Sequence, residues 1–193
     1  MQAPRSRARR WRPARAASVL PGNGTAIVTP TSFALSDAAA TAAAGARLAP
    51  ALAGGMIVTL EGDLGAGKTT LVRGCLRALG WAGPVKSPTY TLVEHYLLSR
   101  LYLYHFDFYR FADPSEWETA GLADCFRPDA VCVVEWPERV AGLLPRPDLA
   151  ITLTHPIHGD ADGRDCTLVA HTAAGERCRI AMTTGGGART ADA

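Results

Sequence analysis

The sequence predicts an α/β fold of three layers, with a mixed, mostly parallel central sheet between helices. Three observations predict it. An apolar, β-branched run at residues 56–60 leads into a glycine-rich loop and then into a helical pattern. A second wholly apolar run, Val131-Cys132-Val133-Val134, ends directly on Glu135. Runs of this kind are strands buried on both faces of a sheet. Between them lie two β-rich runs, residues 91–98 and 101–108, joined tightly at Ser99-Arg100. They read as a hairpin, which makes the sheet mixed rather than purely parallel.

In chain order, Ser36 is placed to cap a helix whose first turn holds Asp37 and which runs to about residue 52, where Gly54-Gly55 ends it. The strand at 56–60 follows. The next helix covers 68–79 and stops at Gly80, with Leu71, Cys75, Leu76 and Leu79 on its buried face. Residues 84–90 form a loop in which Pro88 forbids regular pairing. After the hairpin, a short helix at 114–120 ends at Gly121, and residues 149–153 and 167–170 read as later strands.

The 193 residues suit one domain, placed at 25–184. Its longest aliphatic stretches, such as Met56-Ile57-Val58, fall far short of the roughly 18 residues that cross a bilayer, so no membrane contact is expected. Of 20 Lys and Arg against 18 Asp and Glu, six (Arg5, Arg7, Arg9, Arg10, Arg12 and Arg15) precede the first acid, Asp37. The body of the protein is therefore mildly acidic, and residues 1–24 read as a basic, disordered extension without an apolar face. Residues 185–193 read as a flexible tail. Five scattered cysteines (Cys75, Cys125, Cys132, Cys166, Cys178) with no C-x-x-C exclude a disulfide scaffold or zinc site and suit a reducing cytoplasm. His155 and His158 have no carboxylate or cysteine company and read as surface residues.

Gly62-Asp63-Leu64-Gly65-Ala66-Gly67-Lys68-Thr69 satisfies G-x-x-x-x-G-K-[ST] at every fixed position. Glycines allow positive φ and close approach of backbone N–H groups to phosphate oxygens. The helix that follows turns its N-terminus to the same anion. Lys68 adds a mobile charge at the β- and γ-phosphates, and the Thr69 hydroxyl suits Mg²⁺. A chance match in a chain of this length is on the order of one in a hundred. With a strand before it and a helix after it, the segment is a phosphate-binding P-loop for ATP, and the fold class narrows to a P-loop NTPase.

Such a site needs a carboxylate near the metal, usually at the end of a neighbouring buried strand. Glu135 has that position; the alternative is an ordinary exposed acid at a strand end. Asp107, in the alternating run His105-Phe106-Asp107-Phe108, is a candidate to orient the attacking water or to hold a metal-bound water, or else a solvent-side strand residue.

The loop extends into Thr70-Leu71-Val72-Arg73-Gly74, and the whole string resembles the bacterial TsaE family, formerly called YjeE. Three further blocks agree in order and spacing: Val85-Lys86-Ser87-Pro88-Thr89-Tyr90-Thr91-Leu92-Val93, then His105-Phe106-Asp107-Phe108-Tyr109-Arg110, then Val134-Glu135-Trp136-Pro137-Glu138-Arg139. The resemblance spans roughly residues 33–155. It implies an ATPase that works with TsaD and TsaB in making N6-threonylcarbamoyladenosine in tRNAs that read ANN codons. TsaD would transfer the threonylcarbamoyl group, and this chain's ATP hydrolysis would reset the complex between turnovers. The contact with tRNA would be indirect, and the isolated chain a monomer and a weak ATPase.

By the same resemblance Lys68, Asp107 and Glu135 are catalytic, and Thr69 and Glu135 hold the metal. Gly62 to Thr70 bind the nucleotide, Ser87-Pro88-Thr89 forms a switch-type loop near the γ-phosphate, and Trp136 is a nucleotide-site aromatic or else a core or interface one. Ala38 and Thr41 lie beside the adenine, and Glu138 approaches the nucleotide. The rival in another class is a small-molecule P-loop kinase, for which Arg127, Arg139 and Arg146 are available but no lid insertion is visible. A GTPase is less suited, since the only Asn is Asn23 and N-K-x-D is absent.

Overall fold

The computed structural model describes residues 30–113, 115–156 and 162–184. The expectations for residues 1–24, for His158 and for residues 185–193 lie outside the described residues. Among the described residues seven strands form one sheet in the order β1-β7-β6-β2-β5-β4-β3. They are β1 (Thr31–Leu35), β2 (Ile57–Glu61), β3 (Val93–Leu97), β4 (Tyr102–Asp107), β5 (Ala130–Glu135), β6 (Leu149–Thr154) and β7 (Arg164–Ala170). The central strands β6, β2, β5 and β4 run parallel, while β3 at one edge and β7 and β1 at the other pair antiparallel. This is the mixed three-layer P-loop NTPase fold that the sequence predicts.

The two layers of core follow from strand periodicity. In β5, Val131 and Val133 join the cluster under the helices α1 (Ala38–Leu48), α2 (Lys68–Ala78) and α4 (Ala173–Thr183). Their neighbours Cys132 and Val134 point to the opposite face, into a second cluster with Phe106, Phe108 and Trp117. Side chains alternate across a strand, so a wholly apolar run must be covered on both sides. On the second face the cover is the short helix α3 (Ser115–Thr119) with its buried Trp117.

Helices α1 and α2 cross closely because glycines meet backbone there. A Cβ on Gly45 would lie 1.9 Å from the Leu71 carbonyl oxygen, and one on Gly74 would lie 1.9 Å from that of Ala42. This contact carries the first turn of α1 to the glycine-rich loop. Gly74→Ala is expected to destabilise the fold by about 1–3 kcal/mol, since the helices must part to admit the methyl group. A Gly74→Ala protein that melts with the wild type would show that the crossing has slack.

The structure differs from the expectations in four places. Asp37, not Ser36, caps α1: its carboxylate accepts the Ala40 N–H at 2.7 Å. Strand β1 is additional; only Phe33 and Leu35 of its five residues face the core, too short a run to read as a strand. Strand β7 begins three residues earlier than expected, at Arg164. Helix α4 is also additional, and its buried stripe of Gly175, Cys178 and Met182 has little of the aliphatic contrast that marks an amphipathic helix.

Candidate nucleotide site

The site lies beyond the C-terminal ends of the parallel strands, where open α/β sheets bind ligands. β2 ends at Glu61, and the chain then wraps through Gly62 at φ 128, Gly65 at φ 82 and Gly67 at φ 103 before α2 begins at Lys68. Gly62 is required twice over: its φ is left-handed, and a Cβ there would lie 2.0 Å from the Leu153 carbonyl oxygen. Among the described residues no side chain caps α2, so its first N–H groups remain open at the cleft.

Lys68 is buried, and its Nζ donates to the carbonyls of Gly62 at 2.5 Å and Asp63 at 2.9 Å. The same ammonium lies 4.1 Å from the centre of the Trp136 ring. Trp136 is held there by a left-handed φ of 59 and by Tyr109, whose ring centre is 5.0 Å away. Burial lowers the Lys68 pKa below the ordinary lysine value, and the charges of Glu135, Asp107, Glu138 and Asp63 oppose that shift.

A phosphate bound against Lys68 adds negative charge and raises this pKa again. Nucleotide binding at about pH 9, below the ordinary lysine value, is therefore expected to take up protons. Calorimetry in buffers of different ionisation enthalpy measures that uptake. Binding that is proton-neutral there would mean that Lys68 is already fully charged.

Asp107 and Glu135 face each other as register partners at the ends of β4 and β5. Both are buried, at 2% and 3% exposure, which removes the readings of either as a solvent-side acid. The Glu135 carboxylate receives two bonds on one oxygen: the Thr69 hydroxyl donates to Oε1 at 2.9 Å, and His105 Nε2 lies 2.8 Å from the same atom. Asp107 is held from both sides: Oδ1 accepts the Tyr109 N–H at 2.9 Å, while Oδ2 accepts from Ser87 and, at 2.8 Å, from Thr89. The loop at residues 87–89 is thus tied to the second acid.

Two clefts meet along the loop. One of about 260 Å³ is walled by residues 64–70 together with Ser87, Thr89, Asp107, Tyr109, Glu135 and Trp136. The other, about 500 Å³, shares Gly65, Gly67 and Thr70 and continues to Ala38 and Thr41 at the start of α1. The first has the cation, the acids and the open amides that a polyphosphate needs; the second has room for a nucleoside. The oxygen donors of Thr69 and Glu135 are of the hard type that suits Mg²⁺.

Among the residues expected at the site, Gly62 and Asp63 contribute carbonyls to Lys68 rather than cleft wall. Glu138 is exposed on the turn after β5 and lines neither cleft, acting on Lys68 only through its charge. His105 was not expected. Its signal lay in the alternation of β4, where residues 105 and 107 share one face and Phe106 and Phe108 the other.

The family model described as Threonylcarbamoyl adenosine biosynthesis protein TsaE matches residues 35–163. The chain belongs to the TsaE family. A protein named tRNA threonylcarbamoyladenosine biosynthesis protein TsaE, from Haemophilus influenzae, is 47% identical over 121 residues, covering 63% of this chain and 74% of its own length. Its namesake from Bacillus subtilis is 43% identical over 116 residues, covering 60% and 70%. The crystal structure of Bacillus subtilis YdiB superposes with a TM-score of 0.66 at 30% identity, over 82% of this chain and 97% of that one. The TsaE match takes in the whole loop, both acids and the switch-type segment. No helix among the described residues is long and apolar enough to cross a membrane.

Proposed function

We propose that this TsaE family member hydrolyses ATP with Mg²⁺ and thereby resets a TsaD–TsaB complex between rounds of tRNA threonylcarbamoyladenosine synthesis. The observation that carries the reading is the pairing of two buried strand-end acids, Asp107 and Glu135, across one cleft from Lys68. Buried carboxylates side by side are unfavourable unless cations compensate them. A lysine and a metal on a polyphosphate supply that compensation. The names of the relatives support the pathway.

Lys68 binds and orients the β- and γ-phosphates, together with the open amides at the start of α2. Thr69 and Glu135 would hold Mg²⁺, which when bound supplies charge neutralisation at the phosphates. Asp107 accepts a hydrogen bond from the attacking water beside the γ-phosphate and so positions it once Ser87 and Thr89 yield. Trp136 and Tyr109 close one side of the cleft against bulk water. Ala38 and Thr41 border the nucleoside. The chain acts in the cytoplasm as a monomer that docks on TsaD and TsaB, and meets tRNA only through them.

Co-purification with TsaD and TsaB, with and without ATP, tests pathway and mechanism together. Retention on the pair that depends on the nucleotide is the expected result. A chain that never associates with them but phosphorylates nucleosides or small hydroxylated metabolites would be a kinase instead.

A further inference from the structure

We propose that Arg164 is a positioning residue for the phosphate cradle, gripping the outer carbonyls of the loop and so aiming the Gly67 N–H at the bound anion. This deepens the nucleotide reading above and rests on it. Arg164 opens β7, half-buried, and reaches across 98 residues of sequence to the loop. Its Nε donates to the Ala66 carbonyl at 3.1 Å, and its Nη2 donates to that of Gly65 at 3.2 Å.

A trans peptide is planar, with its C=O and N–H pointing in opposite directions, and the described residues contain no cis bond. Fixing the Ala66 carbonyl on Arg164 therefore fixes the Gly67 N–H on the other side. The Ala66 N–H is already donated to Asp63 at 3.1 Å, whereas that of Gly67 has no acceptor among the described residues. The amide that Arg164 orients is thus still available, and it stands at the N-cap of α2.

The loop needs such an anchor. Among the described residues nothing lies within 4 Å of where a Cβ on Gly65 would be, so none of them packs on that side of the tip. A guanidinium suits the task because it carries a rigid fork of donors and stays charged, where an ammonium is a single point. Drawing two carbonyls toward a cation also polarises their peptides and strengthens the opposed N–H as a donor. Arg164 lies one residue beyond the segment that the TsaE model matches, so the brace comes from a strand outside the stretch that carries the loop and the acids.

The test uses the full chain and the variants Arg164→Ala and Arg164→Lys. Amide spectra of the nucleotide-free proteins follow Gly67, and competition titrations follow ADP and adenosine. Arg164→Ala is expected to move the Gly67 amide resonance before any nucleotide is added. It should weaken ADP by about tenfold, the loss of one charge-assisted contact's worth of order, and weaken adenosine much less. Arg164→Lys, which keeps the charge but loses the fork, should behave like Arg164→Ala and carries the test if the alanine variant does not fold.

An unmoved Gly67 amide overturns the proposal. So does full recovery of ADP affinity by lysine, which would reduce Arg164 to a source of field. Equal losses for ADP and adenosine would place Arg164 on the nucleoside instead, since it also borders the larger cleft. If the wild type binds no ADP while the Gly67 amide still moves, the brace stands and the nucleotide reading fails.

Discussion

Lys68→Ala is expected to lower ATP turnover by at least about 10²–10³-fold, the scale on which one preorganised charge partner counts in a transition state. The effect should exceed that of an ordinary surface lysine for two reasons. Lys68 is buried and fixed on the Gly62 and Asp63 carbonyls, so it reaches a phosphate with little reorganisation. It also stands before Asp107 and Glu135, whose charges it offsets. Without it a polyphosphate enters a cleft of net negative character, so ADP affinity should fall with turnover. The fold should survive, because the freed carbonyls belong to the half-buried Gly62 and the exposed Asp63, where water can replace the ammonium. Steady-state hydrolysis together with ADP titration measures both effects. A variant that hydrolyses at the wild-type rate would remove the cleft as the site of chemistry.

The second large effect is expected from partners. Among the described residues no arginine stands in the walls of the smaller cleft. Asp107, the residue proposed to position water, is occupied by Ser87 and Thr89. A chain in this state should turn over slowly alone. A TsaD–TsaB pair that draws the 87–91 loop into a new position would release the acid, and any arginine it inserts would add charge at the γ-phosphoryl. An inserted arginine contributes about 10³–10⁵ in rate in other P-loop systems. Turnover measured alone and with the pair tests this, repeated in Asp107→Ala and Glu135→Ala. Stimulation should vanish in both variants. Fast hydrolysis alone that ignores the partners would sink the resetting mechanism, and tRNA modification that survives in both variants would leave only nucleotide-gated binding.

The parts of this molecule legible in the sequence are those where one residue type has one physical reason to be present. The loop from Gly62 to Thr69 was legible because positive φ, close backbone approach and a phosphate charge each demand particular residues. Strands β2 and β5 were legible because burial on both faces leaves an unbroken apolar run. Helix α4 was not, since Gly175, Cys178 and Met182 bury well without looking apolar as a set. Strand β1 was missed for the opposite reason: an edge strand needs only Phe33 and Leu35 to face inward. His105 and Arg164 act through contacts with Glu135, Gly65 and Ala66, which only the folded sheet brings together. A partner 30 or 98 residues away leaves no local pattern to read.

The pairing of Asp107 with Glu135 across β4 and β5 makes activity a report on the alignment of two strands. A slip of one residue in β4 would turn Phe106 and Phe108 into the cleft and bury Asp107 and His105 among the aromatics of the other face. Such a molecule could not be partly competent, because acid and imidazole would leave the site in one movement. Damage to this edge of the sheet should therefore divide a preparation into working and dead molecules rather than slow every molecule equally. Titration of binding-competent sites would fall in step with total rate, while the rate per competent site stays constant.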